Sequence, residues 1–214
     1  MPCNCNQCAG IEKVFNEETA RRELEDFRKN GMAKTTRALV EMIGRYGVDG
    51  ARVLDIGGGV GAIQKALFDA GAAEAISVDA SMAYTEAARK LAEEEGYSDR
   101  VTRLHGDFSK IGPTLEQADI VTLDRVICCF DDMPALVSAS AAKAGRVWGA
   151  VYPRDWWIAQ KLAVVIRALQ VLFRFPMRIY VHRSEDVDAI LREHGLAEVV
   201  HRNMGFWQVV VYGR

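Results

Sequence analysis

Val53-Leu54-Asp55-Ile56-Gly57-Gly58-Gly59-Val60-Gly61 is the stretch on which the fold of this chain turns. A short apolar run is followed at once by four glycines in five residues, and a helical pattern begins near Ala62. Glycine is needed where a backbone turns sharply and approaches a ligand closely, because a Cβ would stand in the way. The stretch therefore predicts a buried strand, a tight turn and a helix, with a ligand over the strand end. Gly57, Gly59 and Ala62 also satisfy the dinucleotide pattern G-x-G-x-x-A, with Asp79 at the spacing of a ribose-binding acid. A nicotinamide-dependent oxidoreductase is thus a competing reading. Asp55 argues against it, since a carboxylate two residues before the first glycine would face a pyrophosphate and repel it.

Outward from the glycines, β-branched runs alternate with helical segments: Arg52–Ile56, Ile63–Ala70, Ala75–Val78, Met82–Glu95, Val101–Leu104, Ile120–Leu123, Pro134–Lys143 and Val147–Val151. Strands alternating with helices imply a parallel sheet covered on both faces. Two helices precede the sheet, Ile11 to Lys29 and Thr35 to Tyr46. After Pro153 the alternation stops for about thirty residues, resumes with a helix at Glu185–Glu193, and closes with Glu198–Arg202 and Phe206–Tyr212, which are near enough to form a hairpin. The expected architecture is a Rossmann-like three-layer α/β sandwich, its seven-stranded sheet mostly parallel with an antiparallel C-terminal strand. The expected organisation is a flexible Cys-rich tail over 1–10 and one domain over 11–214, with N-terminal helices in 11–50 and a helical insert at 153–183.

The 214 residues are enough for one well-buried core. Half are hydrophobic, 26% are charged, and the net charge is −2, so no global positive field would gather nucleic acid. The polar N-terminus lacks the apolar core of a signal peptide, and a cytoplasmic protein is expected. The apolar stretch 156–175 is interrupted by Lys161, Arg167 and Arg174 and makes a poor membrane span, though surface contact with a membrane is compatible with it. Cys3, Cys5, Cys8, Cys128 and Cys129 are an odd set with no secreted disulfide spacing. Three ligands in the tail without a nearby fourth make an incomplete metal site, and no metal is expected.

Asp55 to Gly61 resembles the D-x-G-x-G-x-G first motif of class I S-adenosylmethionine (SAM)-dependent methyltransferases, and further landmarks follow in order through residue 152. The resemblance implies SAM as cofactor. It implies that Gly57, Gly58, Gly59 and Gly61 lie along its methionine part and that Asp55 helps to order that loop. It further implies that Asp79, followed by Ala80, takes both ribose hydroxyls, that Asp107 and Phe108 meet the adenine, and that Asp124 and Arg125 border the cofactor after the fourth strand. Within the family the chain is similar to bacterial magnesium-protoporphyrin O-methyltransferase-like proteins, through Phe15-Asn16, the segment Asp124 to Asp131 and Val181-His182. It departs from the tetrapyrrole enzymes in having Cys128 or Cys129 where they place a histidine, and Val14 where they place a tyrosine.

Ligands of α/β sheets bind outside the carboxyl ends of the strands. Cys128, Cys129, Tyr152, Arg154, Trp156 and His182 are accordingly the candidate acceptor-binding residues. Tyr152 and His182 are the candidate proton acceptors, because phenol and imidazole can accept or relay a proton near neutral pH. The expected acceptor is a small or medium-sized molecule, aromatic or carboxylate-bearing, with tetrapyrroles included. Nucleic acid is not expected, and the chain reads as a monomer or homodimer. A catalytically silent SAM-binding sensor or partner protein is the third reading. Trp156, Trp157 and Phe130 packed across the methyl position would be its mark.

Overall fold

The structure is a computed structural model that describes residues 6–156 and 177–214. Most of the insert expected at 153–183, including Trp157 and the apolar residues from Ile158 to Leu172, lies outside the described residues, as do Cys3 and Cys5. Seven strands form one sheet: β1 Arg52–Ile56, β2 Glu74–Asp79, β3 Val101–His105, β4 Ala118–Asp124, β5 Ala144–Pro153, β6 Ala197–Met204 and β7 Trp207–Gly213. Their order is β3-β2-β1-β4-β5-β7-β6. β1 to β5 pair in parallel, and β7 runs antiparallel between β5 and β6. The sheet thus has the expected Rossmann-like form with its antiparallel final strand.

Helices cover both faces. α3 (Lys34–Gly44), α4 (Ala62–Asp69) and α5 (Met82–Glu94) bury Leu39, Ile43, Ile63, Leu67 and Ala92 against one face. α6 (Phe108–Ile111), α7 (Met133–Ala141) and α8 (Ser184–Glu193) bury Phe108, Leu136, Val137, Val187 and Leu191 against the other. Gly149 in β5 lets α3 come close: a Cβ there would stand 2.8 Å from Leu39 Cδ1 and 3.0 Å from Ile43 Cδ1. This close approach brings the start of α3, with Thr36, over the end of β4.

The N-terminal region differs from expectation. Helix α1 spans Asn6–Val14, so the chain is helical from Asn6, where a tail was expected through residue 10. The single helix expected from Ile11 to Lys29 is two, because Asn16 caps a new helix α2 (Glu17–Asn30), its side chain accepting from Thr19 N at 3.1 Å. Glu17 and Glu18 in the first turn favour the same start, since acidic groups complement the helix dipole there. Among the described residues no helix is long and apolar enough to cross a membrane.

Candidate functional site

The strand order reverses direction at β1, whose neighbours β2 and β4 are reached by crossovers on opposite sides, and a crevice opens above that point. A cavity of about 690 Å³ occupies it. The ends of β1, β2 and β4 and the residues that follow β3 all contribute to its wall.

Beneath the glycine turn lies a buried polar cluster. Strand register places Ser77, Asp55 and Thr122 side by side across β2, β1 and β4. Thr122 Oγ1 donates to Asp55 Oδ1 at 2.7 Å, and Gln64 of α4 donates to Asp55 Oδ2 and Ser77 Oγ, each at 3.0 Å. Burial raises the Asp55 carboxyl to a pKa of about 6, against the lowering effect of those two donors. Asp55 borders the cavity, yet both of its oxygens are engaged within the protein, so it holds the loop from below. A Cβ on Gly58 would meet Gln64 Nε2 at 2.6 Å and Ser77 Oγ at 2.7 Å; one on Gly57, at φ +64°, would meet Val126 Cγ2 at 2.4 Å. Those contacts, together with the left-handed φ at Gly57, require the glycines.

Gly61 has a different role. It is buried at the start of α4 with φ +86°, and a Cβ there would lie 3.3 Å from Ala88 Cβ of α5, so it serves helix packing behind the cavity wall. Asp79 ends β2 half-buried, with Gly59 N–H donating to Oδ2 at 3.0 Å and Ser81 N–H donating to Oδ1 at 2.8 Å. Burial raises its carboxyl to about 6 despite these donors. Asp107 caps α6 through Oδ1, which accepts from Ser109 N–H and Oγ, while Oδ2 lies 3.9 Å from Lys110 Nζ. Ala80 and the buried Phe108 flank these acids on the cavity wall.

After β4, Thr36 Oγ1 donates to Asp124 Oδ2 at 2.6 Å, and the Arg125 guanidinium lies against the same carboxylate with Nε 3.2 Å from Oδ1. Arg125 has a positive φ of 60°, the only one outside glycine among the described residues. Its N–H donates to Val151 O at 2.8 Å, and its carbonyl accepts from Cys128 Sγ at 3.3 Å. Strain of this type, held by surrounding bonds, clusters at functional sites. The Cys128 and Cys129 sulfurs are 3.8 Å apart and both residues border the cavity. The hydrogen bond between them raises the Cys128 thiol and lowers Cys129.

Other sequence candidates lie elsewhere. Tyr152 is 1% exposed in the core face that β5 turns toward α7 and α8, and does not border the cavity. Alternation is the reason: Val151 faces α3, so its neighbour must face the opposite layer. His182 sits behind Phe130, its Nε2 2.9 Å from the Phe130 carbonyl and its ring stacked on Tyr180. Arg154 spans from the Gly205 carbonyl to the Trp156 ring, 5.3 Å from its centroid. Phe130, Met177, Ile179, Phe206 and Trp207 instead add apolar side chains to the cavity wall. Sequence reasoning missed Gln64, Ser77 and Thr122, although each interrupts an apolar face or strand, which is the available signal. It also missed Thr36, Glu23 and Tyr84, which reach the cavity from helices whose placement only the packing defines.

The family model described as a methyltransferase domain matches residues 53–144. No curated protein matches the sequence. Among solved structures, the magnesium protoporphyrin IX methyltransferase of Synechocystis PCC 6803 with bound S-adenosylhomocysteine (SAH) superposes with a TM-score of 0.74 at 21% identity, over 97% of this chain and 99% of that one. The same enzyme with bound SAM gives 0.72 at 18% identity, over 97% of each chain. An O-methyltransferase family protein from Burkholderia thailandensis gives 0.66 at 17% identity, over 94% of this chain and 63% of that one.

Proposed function

We propose, on the premise that residues 53–144 match a methyltransferase domain, that this chain transfers a methyl group from SAM to a small or medium-sized acceptor with a flat apolar body. The observation that carries the reading is the row of groups along the cavity: Asp107 after β3, Asp79 after β2, Gly57 to Gly59 after β1, and Asp124 with Arg125 after β4. Asp107 Oδ2 accepts from the adenine amino group, with Phe108 and Ala80 against the ring. Asp79 accepts from the ribose hydroxyls with the lone pairs its backbone donors leave over. The glycine backbone lies along the methionine part. The cradle fits, because Gly57 to Gly59 border the cavity without side chains and the acids are placed for hydroxyl and amino donors.

When bound, SAM supplies a methyl group already activated on a sulfonium. The chain's own contribution is positioning, which can supply roughly 7–11 kcal/mol of the barrier. Phe130, Met177, Ile179, Phe206 and Trp207 border the cavity and hold the acceptor. Tyr152 and His182 do not border the cavity, so the acceptor is one that needs no base from them. A carboxylate, ionised at neutral pH, meets that condition, and a tetrapyrrole propionate is one such group. The protein acts in the cytoplasm as a monomer or homodimer.

Calorimetric titration with SAM, SAH and reduced nicotinamide cofactor tests this. Micromolar binding of the adenosyl compounds is expected, weakened roughly 10- to 100-fold in Asp79→Ala as charge-assisted hydrogen bonds are lost. Saturable binding of the nicotinamide compound with no response to SAM would sink the reading.

A further inference from the structure

Tyr84 is 3% exposed and borders the cavity beside the glycine turn; its hydroxyl has no partner at full hydrogen-bond distance and interacts instead with the Glu23 carboxylate. A buried polar group left unpaired costs about 1–3 kcal/mol, and such groups in native proteins call for a functional account. The ring itself is well held: Phe15 meets it edge-on at 5.5 Å, and Ala20, Leu24 and Val60 pack with it. Three charged residues act on the hydroxyl, Glu23 of α2 and Asp79 in one direction and Arg125 after β4 in the other, and all three border the cavity. Burial first, and then the Glu23 carboxylate, push the phenol well above its ordinary range, while Arg125 acts in the opposite direction. Glu23 also acts on Arg125.

Arg125 is the one cation among the described residues that border the cavity, against carboxylates at Glu23, Asp26, Asp55, Asp79, Asp107 and Asp124. Its Nε and Nη2 face Asp124, which leaves Nη1 for another anion. Asp124 is already engaged by Thr36 and Arg125, so Glu23 is the acid better placed to take a new cation. With adenine after β3 and ribose after β2, the last part of an extended SAM molecule falls at the β1–β4 crevice. That part is an amino acid, with an ammonium and a carboxylate on one carbon.

We propose that Glu23 and Arg125 clamp the amino-acid end of the cofactor, Glu23 taking the ammonium and Arg125 the carboxylate, with Tyr84 as a positioning residue whose hydroxyl donates to Glu23 in the bound state. The clamp rests on the methyl-donor reading above. Glu23 lies outside residues 53–144, in a helix that the family match does not reach.

The test compares SAH with 5′-methylthioadenosine, which has the same adenosine and thioether but no amino-acid end, by calorimetry on the full chain. Glu23→Gln and Arg125→Gln should each weaken SAH roughly 5- to 20-fold, and Tyr84→Phe roughly 3- to 10-fold, as one hydrogen bond to a charged group is lost. Methylthioadenosine affinity should stay within about twofold in all three. Equal losses for both ligands, or no loss of SAH affinity, would overturn the clamp while leaving the methyl-donor reading intact. Wild-type protein that binds neither ligand removes that reading and the clamp with it.

Discussion

Asp79 carries two opposing requirements. Its side chain must be ionised to accept from a ligand, yet burial raises its carboxyl from an ordinary 3.8 to about 6, and Asp55 behind the turn is raised to the same level. Both folded-state values lie above the unfolded ones, so the pair's contribution to stability is fully present below about pH 4 and is lost as pH rises through 6. Cofactor binding has the opposite sign, because donors on the Asp79 carboxylate favour its charged form. SAH affinity should therefore rise between pH 5 and 7 and level off above, with proton release measurable by calorimetry in buffers of different ionisation heat. Asp79→Asn should abolish most of that slope. A slope that survives in the variant would assign the titration to another group. Asp55 was legible in the sequence as an acid before a glycine turn, but its partners were not: Ser77 and Thr122 reach it through strand register and Gln64 through the packing of α4 on the sheet.

At the scale of elements, the strand–turn–helix at 52–69 follows from local pattern alone, and so do the later strands, because alternating apolar runs and glycine breaks are properties of neighbouring residues. The junction of α1 and α2 was harder to read. Its apolar spacing runs on through Phe15, while the break comes from one side chain, Asn16, bonding to Thr19 N–H. Removing a cap of this type costs about 0.5–2 kcal/mol. Asn16→Ala should lower the melting temperature by about 1–8 °C for a chain of this size, read by circular dichroism. The same junction touches the site: Ser81 Oγ donates to the Phe15 carbonyl at 2.6 Å, and Phe15 packs on Tyr84. The variant should also bind SAH modestly more weakly, and unchanged affinity would separate the cap from the site.

Across the whole molecule, the cavity draws on residues from Ile11 to Trp207 and divides along the sheet. The proposed cofactor row spans β3 to β4, whereas Phe206 and Trp207 reach in from the hairpin beyond β5. SAH at about 100 times its dissociation constant should stabilise the native state by about 2.7 kcal/mol, raising the melting temperature by about 5–11 °C. Phe206→Ala should show the same shift, since it alters the acceptor end alone, and Asp79→Ala should show little. A Phe206→Ala protein that SAH fails to stabilise would refute the division. The sequence by itself determined the sheet, the glycine turn and the acids at the strand ends, because each is written in residues a few positions apart. Tertiary structure alone decided which polar side chains face the cavity. Tyr152 and Tyr84 are both buried tyrosines near strand ends, but β5 is covered on both faces and turns Tyr152 into the core, whereas α5 packs behind the glycine turn and leaves Tyr84 at the cavity wall. No local pattern encodes that difference, since it depends on which layer lies against each side chain.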